Sequence, residues 1–324
     1  MKRIVIRTLA GKDIGFGHFY RCLSLASALK MTSDDIRITF IINTALVDLI
    51  KVSDLDYIVS DLLEGDISIV EGLNPDLFIF DSYLGDDYYL KSIKGQTKLM
   101  LIDDNNDIYD SSIADIIYNG NLHGEALGYR YVDNQIRLIG PKYLIMKEEY
   151  WNRGKPRTEG HGILITTGGT DRYKLALNIL QWIGDMDLKI RVIIGPGYEA
   201  DYIGEIEDRI GPNTELIHRP NSLKNYINTS GLVVTAGGST VYEVLSQGKT
   251  PIVFSIADNQ DILCRELAKR GVPYLGKYPD IDYHKLASII KDIGSIDPYP
   301  SKELFDLIDR QGALIVARAI FNSI

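Results

Sequence analysis

The chain is 324 residues long, is poor in cysteine and contains no long hydrophobic run. Its two cysteines, Cys22 and Cys264, lie far apart and form no metal-ligand spacing, which argues against a disulfide scaffold and a structural zinc site. A reducing, cytoplasmic compartment is therefore expected. No stretch reaches the roughly 20 apolar residues of a membrane span, and the first apolar run, residues 4–7, is too short for a signal peptide. We predict an unprocessed, soluble protein without stable membrane association.

Positive charge is also scarce, because 35 Lys and Arg residues stand against 44 Asp and Glu residues, for a formal net charge of -9. Such a chain is a poor partner for the phosphate backbone of nucleic acids or for an anionic membrane surface. We expect no nucleic-acid partner, although a small basic pocket is compatible with this balance. The apolar fraction of 45% is ample for a packed core, and the length favours two domains over one large α/β domain.

Short runs rich in Ile and Val recur along the chain, each followed by a Gly- or Asp-bearing turn and a segment with helical spacing. This rhythm is typical of repeated βαβ units. The runs show little polar alternation, as expected for parallel strands that are buried on both faces. The predicted strands are residues 4–7, 36–42, 57–59, 77–80, 99–102 and 116–118 in the first half, and 163–166, 190–194, 214–217, 232–235 and 252–254 in the second.

The pattern predicts an α/β protein with two Rossmann-like, doubly wound domains, residues 1–150 and 161–300. Residues 151–160 have no periodicity and contain Gly and Pro, so we interpret them as the linker. Residues 301–324 carry apolar side chains at helical spacing and predict one or two amphipathic helices. Two such domains are expected to face each other across a cleft at the carboxyl ends of their strands, where sheets of this kind bind ligands.

The first strand runs into a glycine-histidine loop, Gly15-Phe16-Gly17-His18. The apolar spacing that follows starts a helix, so His18 is expected at a helix N-terminus, where the dipole disfavours the imidazolium and favours a neutral ring that can accept a proton. An ordinary βα turn with His18 as a capping or packing residue is the alternative, and the spacing alone favours it. The loop is not a dinucleotide fingerprint, because Tyr20 stands where the third glycine would be.

A second glycine loop, Gly237-Gly238-Ser239-Thr240, follows strand 232–235 and opens another helix. It offers backbone N–H groups and two hydroxyls, the arrangement that holds a diphosphate. Glu243, one turn further on, would accept hydrogen bonds from a ribose diol. The alternative is a capped helix with Glu243 as the capping-box acid. We favour the phosphate interpretation, because two glycines are more than a cap requires.

Two further loops of the second half end strands on the same side of the predicted sheet. Gly168-Gly169 forms a glycine turn, after which Asp171 is expected to cap the next helix. Asn259 and Gln260 follow strand 252–254 and would hydrogen-bond sugar hydroxyls and amides, or else form a solvated first helical turn.

In the first half, the pair Asp103-Asp104 follows a strand and offers oxygen ligands suited to Mg²⁺. Capping of a turn is the more frequent reason for Asp at such positions. No third carboxylate has a spacing that would complete a site. We therefore predict no metal and no cofactor.

Together, these motifs resemble the PseG-type sugar-nucleotide hydrolases of pseudaminic acid biosynthesis, which are related to the SpsG-type spore coat polysaccharide proteins. The layout is also similar, more distantly, to the MurG-like glycosyltransferases of the GT-B fold. The resemblance covers nearly the whole chain and rests on the shared order of the motifs. They are Gly15-Phe16-Gly17-His18 with Arg21-Cys22-Leu23, Asp81-Ser82-Tyr83, Ile102-Asp103-Asp104, Ile139-Gly140-Pro141-Lys142-Tyr143, Gly168-Gly169-Thr170-Asp171, Ala236-Gly237-Gly238-Ser239-Thr240 through Glu243, and Ala257-Asp258-Asn259-Gln260.

The resemblance implies hydrolysis of UDP-2,4-diacetamido-2,4,6-trideoxy-β-L-altropyranose or a close relative, by water attacking the anomeric carbon with inversion and without a metal. His18 maps onto the proposed catalytic histidine, and Tyr83 would line the sugar pocket. The substrate-binding set is Gly15, Gly17, Arg21, Tyr83, Asp103, Asn259 and Gln260. The nucleotide-binding set is Gly168, Gly169, Gly237, Gly238, Ser239, Thr240 and Glu243.

Two other functions are kept beside hydrolysis. A GT-B glycosyltransferase would use the same UDP-sugar and pass the sugar to an acceptor hydroxyl. A non-catalytic nucleotide-sugar binding protein would keep the loops of the second half and could dispense with His18 and Tyr83. The chain departs from the hydrolase pattern at Asn119-Gly120-Asn121 and at Asp309-Arg310-Gln311-Gly312, which leaves the identity of the sugar open.

Overall fold

The computed structural model describes residues 1–11, 14–130, 132–151, 160–292 and 299–324. Most of the predicted linker, residues 152–159, lies outside this range. The chain forms two compact units: unit 1 is Met1–Glu148 with Asp309–Ile324, and unit 2 is Glu149–Ile308. The end of the chain thus belongs to the first unit, whereas the sequence alone assigned 301–324 to a segment of its own.

Unit 1 is built on a parallel sheet of seven strands in the order β3-β2-β1-β4-β5-β6-β7. The central strands are buried on both faces, which explains their unbroken apolar sequences. The strands are β1 Lys2–Thr8, β2 Ile36–Ile42, β3 Asp56–Val59, β4 Leu77–Asp81, β5 Lys98–Ile102, β6 Ile116–Asn119 and β7 Ile136–Ile139. The helices that connect them are α1 Gly17–Thr32, α2 Val47–Ile50, α3 Asp66–Leu73 and α4 Asp87–Lys94.

Unit 2 repeats this plan with a parallel sheet of six strands in the order β10-β9-β8-β11-β12-β13. Its strands are β8 Ile163–Thr166, β9 Ile190–Ile194, β10 Thr214–His218, β11 Leu232–Ala236, β12 Pro251–Ser255 and β13 Tyr274–Lys277. Its helices are α5 Leu175–Ile183, α6 Ala200–Glu207, α7 Lys224–Thr229, α8 Thr240–Ser246, α9 Asp258–Ala268, α10 Tyr283–Lys291 and α11 Lys302–Leu307. A large apolar core packs helices such as α5 and α10 against the sheet.

The last helix, α12 Gly312–Ser323, packs against α1 in unit 1. Its apolar stripe is fully buried, since Val316, Ala317 and Ile320 have no exposed surface. Within the described part of the chain, no helix has the length and apolar character needed to cross a bilayer.

The strand register of unit 1 aligns the loops that contain the predicted site residues. Thr8 at the end of β1 lies opposite Asp81 at the end of β4, and Ile102 of β5 lies opposite Tyr118 of β6. Because the strands are parallel, the loops after β1, β4, β5 and β6 all emerge at the same edge of the sheet. The two-domain α/β fold class is confirmed, and every predicted strand is present. The strands β7 and β13 were not predicted.

Candidate functional site

The glycine-histidine loop leads directly into α1. Gly15 has a φ of +81°, a conformation that favours glycine, and its backbone pairs with that of Gly11. The helix starts at Gly17, so His18 lies in the first turn and Arg21 one turn later on the same face. His18 is buried, with 6% of its surface exposed. The sequence therefore correctly places His18 at a helix start.

His18 forms a buried pair with Asp81, the last residue of β4. The His18 Nδ1 atom lies 2.6 Å from Asp81 Oδ1. A carboxylate can only accept, so we assign the ring proton to Nδ1, which leaves the lone pair on Nε2. Arg21 Nη2 also lies 3.2 Å from His18 Nδ1, but two donors cannot bond each other, and the shorter contact to the carboxylate decides the assignment. The edge-on ring of Tyr83 packs against the imidazole, with 4.5 Å between the ring centroids.

Arg21 bridges two carboxylates at adjacent strand ends. Its Nε and Nη2 atoms donate to Asp81 at 2.9 and 2.7 Å, while Nη1 and Nη2 donate to Asp104 at 2.6 and 3.0 Å. The Asp81 side chain is completely buried and that of Asp104 is 10% exposed. Asp104 follows β5, so a single guanidinium ties the ends of β4 and β5 together.

Both carboxylates are held in the ionised state. Burial alone would raise the pKa of Asp81 and Asp104, but the charge of Arg21, with His18 beside it, holds the pKa of each below its ordinary value. Burial likewise opposes the charge of Arg21, yet the two carboxylates raise the pKa of Arg21 well above its usual range. Burial and the charge of Asp81 raise the pKa of the Cys22 thiol, which donates to Asp81 Oδ2 at 3.4 Å.

Asp104 receives two further donors from the protein. The Tyr83 hydroxyl donates to Oδ2 at 2.6 Å and the Asn121 amide to Oδ1 at 2.9 Å. The neighbouring Asn119, fully buried at the end of β6, donates to the backbone carbonyl of Asp104 at 3.0 Å. Burial, together with the charge of Asp104, raises the pKa of the Tyr83 phenol. Of the asparagines that depart from the hydrolase pattern, Asn121 thus binds the carboxylate of Asp104 and Asn119 binds its backbone carbonyl.

The predicted substrate residue Asp103 has a different role from its neighbour. Its Oδ1 accepts the backbone N–H groups of Asn105 and Asn106 at 2.9 and 2.8 Å, which closes the turn after β5. Burial raises the pKa of Asp103. This is the turn-capping alternative to a Mg²⁺ site. No grouping of three or more His, Cys, Asp or Glu side chains suited to a metal ion occurs among the residues that the structure describes.

In unit 2, the glycine loop between β11 and α8 has uncommitted hydrogen-bond donors. Ser239 is exposed and Thr240 partly exposed, and neither residue donates a hydrogen bond, through backbone or hydroxyl, to any described residue. A Cβ atom on Gly237 would lie 2.4 Å from Cys264 Sγ, so packing against α9 requires glycine there. A Cβ on Gly238 would meet nothing within 4 Å, so the space beside it is open.

The capping-box alternative is not realised at this helix. Ser239 makes no side-chain cap hydrogen bond. Glu243 is buried instead, with 6% of its surface exposed, and its Oε2 accepts from the Tyr150 hydroxyl at 3.3 Å. Burial and the charge of Glu243 raise the pKa of Tyr150. A ribose contact by Glu243 stays a prediction.

The loop after β8 brings Gly168 and Gly169 to the same edge of the unit 2 sheet. Gly168 has a φ of +104° and open space on its Cβ side. The carbonyls of both glycines approach Gly195, where a Cβ would lie 2.6 Å from each oxygen. Asp171 accepts the N–H groups of Leu175 and Ala176, the first residues of α5, at 2.8 Å each. Its predicted capping role is confirmed.

Asn259 and Gln260 lie in the first turn of α9, after β12. The Gln260 side chain accepts the backbone N–H of Ile256 at 3.0 Å, and Asn259 Oδ1 accepts the N–H of Gln260 at 3.0 Å. Both side chains are partly exposed. These side chains thus use part of their hydrogen-bonding capacity to shape the turn. Their contacts with a sugar stay a prediction.

Sequence reasoning selected His18, Arg21 and Tyr83, and the structure brings these side chains into one cluster. Asp81 and Asp104 are not among the predicted site residues, although Asp81 ends β4 and Asp104 was considered only as a metal ligand or turn cap after β5. The predicted nucleotide residues of the second half all belong to unit 2, at the ends of β8 and β11 and in the first turns of α8. We refer to His18, Arg21, Asp81, Tyr83, Asp104 and Asn121 as the His18 cluster.

No family model matches the chain. An uncharacterized protein from Methanocaldococcus jannaschii is 27% identical over 275 residues, which are 78% of this chain but only 55% of that protein. The chain thus spans about half the length of that relative. The spore coat polysaccharide biosynthesis protein SpsG of Bacillus subtilis is 25% identical over 274 residues, 81% of this chain and 79% of that protein.

Solved structures establish the fold. MurG from Acinetobacter baumannii matches with a TM-score of 0.60 at 11% identity, over 99% of this chain and 100% of that chain. HepE from Anabaena, solved in complex with UDP and glucose, matches with a TM-score of 0.62 at 10% identity over all of both chains. The two α/β units are therefore those of the GT-B fold.

Proposed function

We propose that the protein is a nucleotide-sugar enzyme that transfers a sugar from a UDP-sugar to an acceptor hydroxyl. The observation that carries the proposal is the buried pair of His18 Nδ1 and Asp81 Oδ1, 2.6 Å apart, at a strand end of a GT-B unit. Similarity to solved structures supports a nucleotide-sugar substrate, because HepE was solved with UDP and glucose.

The chemistry assigned to His18 is that of a general base. Asp81 holds the ring in the tautomer whose Nε2 has the lone pair, and its negative charge stabilises the imidazolium that forms when Nε2 takes a proton. An acceptor hydroxyl deprotonated in this way attacks the anomeric carbon as the bond to the diphosphate breaks. General-base assistance of this kind contributes roughly 10²–10⁴-fold to a rate.

We assign binding of the departing diphosphate to residues of unit 2. The N–H groups and hydroxyls of Ser239 and Thr240 have no partners among the described residues, and the space beside Gly238 is open. Fixed donors of this kind stabilise negative charge that develops on a leaving group. Gly168 and Gly169 are the further candidates for the same ligand.

Hydrolysis of the UDP-sugar is the second candidate. It is supported by the order of motifs shared with the PseG-type hydrolases, which runs through both units. The His18 cluster suits either reaction, because Nε2 can take a proton from water as well as from an acceptor. The diacetamido-trideoxy sugar is the substrate class that this second candidate implies.

Release of UDP decides between the two. The protein is incubated with a panel of UDP-sugars, including UDP-N-acetylglucosamine and UDP-diacetamido sugars, either alone or with a mixture of sugar and peptide acceptors. UDP release that requires an acceptor supports transfer, and equal amounts of UDP and free sugar in water alone support hydrolysis. Binding of UDP-sugars without any release would support the non-catalytic binding protein instead.

The general-base role of His18 is tested with the variant His18→Gln. Turnover should fall by roughly 10²-fold or more, whereas the dissociation constant for UDP, measured by calorimetry, should stay unchanged. His161→Gln is the control, since His161 is exposed and lies in unit 2. Near-normal UDP release by His18→Gln would show that His18 is not the base.

A further inference from the structure

We propose that Arg21 and Asp104 are positioning residues, which lock the Asp81 carboxylate against His18 and thereby fix the tautomer of the ring. The family resemblance implied that Arg21 binds the substrate, whereas the contacts of its guanidinium point to this other role. The effect on turnover rests on the proposed function, but the tautomer itself does not.

The guanidinium of Arg21 is committed to two carboxylates. Arg21 donates through Nε, Nη1 and Nη2 to carboxylates, with contacts between 2.6 and 3.0 Å. Its side chain is only 18% exposed. The planar fork of an arginine sets the angle between two carboxylates, which the single ammonium of a lysine does not. Arg21 therefore fixes where Asp81 lies relative to Asp104.

Both oxygens of the Asp81 carboxylate accept two hydrogen bonds. Its Oδ1 accepts from His18 Nδ1 at 2.6 Å and from Arg21 Nη2 at 2.7 Å. Its Oδ2 accepts from Arg21 Nε at 2.9 Å and from Cys22 Sγ at 3.4 Å. Rotation of this carboxylate would break contacts at both oxygens, so these donors hold its orientation toward His18.

Asp104 anchors Arg21 in turn. Its Oδ1 accepts from Arg21 Nη1 and the Asn121 amide, and its Oδ2 accepts from Arg21 Nη2 and the Tyr83 hydroxyl. The Asp104 side chain is 10% exposed, so water competes little with these donors. The chain of contacts runs from Asn121 and Tyr83 through Asp104 and Arg21 to Asp81, and ends on the imidazole.

Charge in the cluster agrees with this role. Two ionised aspartates and one arginine leave one net negative charge beside His18, which the proton taken up by the ring would neutralise. Burial also raises the pKa of the nearby Cys22 thiol in α1, of the Tyr83 phenol after β4 and of the Tyr118 phenol in β6, so these three groups are neutral.

The test reads the tautomer directly, by ¹⁵N NMR of the histidine ring nitrogens at mildly alkaline pH. His18→Gln identifies the His18 signals among those of the five histidines. The parent should show a protonated Nδ1 and an unprotonated Nε2. In the Arg21→Lys and Asp104→Asn variants that fold, the His18 ring should be a mixture of the two tautomers. The matched control is Arg37→Lys, because Arg37 makes a pair with Asp56 on the surface of the same unit, with both side chains more than half exposed.

Kinetics provide the second readout. In Arg21→Lys and Asp104→Asn, kcat should fall by about ten-fold or more, while the dissociation constant for UDP stays within two-fold of the parent. A residue that binds the substrate would instead raise KM. If Arg21→Lys does not fold, Asn121→Ala removes one donor from Asp104 without a change of charge and should give the same mixing to a smaller extent.

The result that overturns the proposal is a pure Nδ1–H tautomer in the folded Arg21→Lys and Asp104→Asn variants, or a parent ring without that tautomer. Failure of the proposed function appears differently. In that case the tautomer responds as expected, but the parent releases no UDP from any sugar nucleotide.

Discussion

At the scale of single residues, the adjacent glycines Gly237 and Gly238 are glycine for different reasons. A Cβ on Gly237 would lie 2.4 Å from Cys264 Sγ and 3.0 Å from the Gln260 carbonyl, whereas a Cβ on Gly238 would meet nothing within 4 Å. Packing explains the first glycine. The second has no packing reason in the structure, which supports the assignment of the open space beside it to a ligand.

We expect Gly237→Ala to lower the free energy of unfolding by about 1–3 kcal/mol, because the added methyl overpacks the contact with α9. Gly238→Ala should leave stability nearly unchanged and weaken UDP binding. Denaturant unfolding and calorimetry measure the two effects. In the double variant Gly237→Ala, Cys264→Ala, part of the lost stability should return, and equal stability losses for both single glycine variants would contradict this account.

The dependence of the free energy of unfolding on pH in the acidic range tests whether the fold stabilises ionised Asp104. Its folded pKa lies below the ordinary value of 3.8, so the ionised form stabilises the fold, in full above the ordinary value and progressively less as the pH falls through the folded pKa. Asp104→Asn should therefore lose less stability than the parent when the pH falls below about 4. At neutral pH it should be less stable by up to about 3–5 kcal/mol, because Arg21 loses a buried partner.

Urea unfolding at a series of pH values measures this difference. Asp56→Asn is the control, because the exposed Asp56 pairs with Arg37 at the surface and such pairs contribute little. Acid profiles of the parent and Asp104→Asn that differ only by a constant offset would show that Asp104 is not stabilised in its ionised form.

At the scale of secondary structure, the sequence predicted every central strand of both sheets and missed two of the four edge strands. Strands such as β4 and β5 show unbroken apolar runs, because both faces of the sheet are covered. The missed strands β7 and β13 lie at sheet edges and are largely half-buried, with Arg137 in the first and Gly276 in the second. The other two edge strands, β3 and β10, were predicted, so an edge strand shows the pattern of buried parallel strands less reliably than a central one.

The same limit applies to the His18 cluster. A helix start after β1 could be predicted from the spacing around His18, since capping and periodicity are local. The partner of His18 could not, because the contact with Asp81 depends on β4 lying beside β1 and on the register that sets Thr8 opposite Asp81. Sequence patterns predict strands, but they do not fix the order of strands in a sheet.

The start of α12 gives a prediction at this scale. A Cβ on Gly312 would lie 2.4 Å from the backbone oxygen of Leu144 and 2.6 Å from its nitrogen. Gly312→Ala should therefore push the helix away from this backbone and destabilise unit 1 by about 1–3 kcal/mol. Gly204 lies inside α6 with nothing within 4 Å of its Cβ position, so Gly204→Ala should stabilise the protein by about 0.5–1 kcal/mol.

Thermal unfolding of the two variants and the parent checks both the expected loss and the expected gain of stability. The comparison is informative because each substitution adds one methyl group to a helical glycine, and only the surroundings differ. A gain of stability in Gly312→Ala would mean that α12 does not approach the backbone of Leu144 so closely.

At the scale of the whole molecule, unit 1 is assembled from two separate parts of the chain. The apolar spacing of residues 301–324 predicts helices, but an amphipathic face does not specify which core will bury it. The structure buries Val316, Ala317 and Ile320 completely, with α12 against α1. The sequence alone therefore predicted that helices form there, and packing decided to which unit α12 belongs.

At this scale, the pattern of backbone N–H groups that UDP protects from hydrogen exchange tests whether UDP binds at residues 237–240. The backbone N–H groups of Ser239 and Thr240 have no acceptor among the described residues, so they should exchange with solvent rapidly in the free protein. Bound UDP should slow exchange in peptides that cover residues 168–170 and 237–240, as measured by hydrogen exchange with mass spectrometry. Excess UDP, at about 100 times its dissociation constant, should also stabilise the fold by about 2.7 kcal/mol. Uridine is the control, because without phosphates it should not protect residues 237–240. Strong protection by UDP at other strand ends, with residues 237–240 unchanged, would move the nucleotide site away from the Gly238 loop.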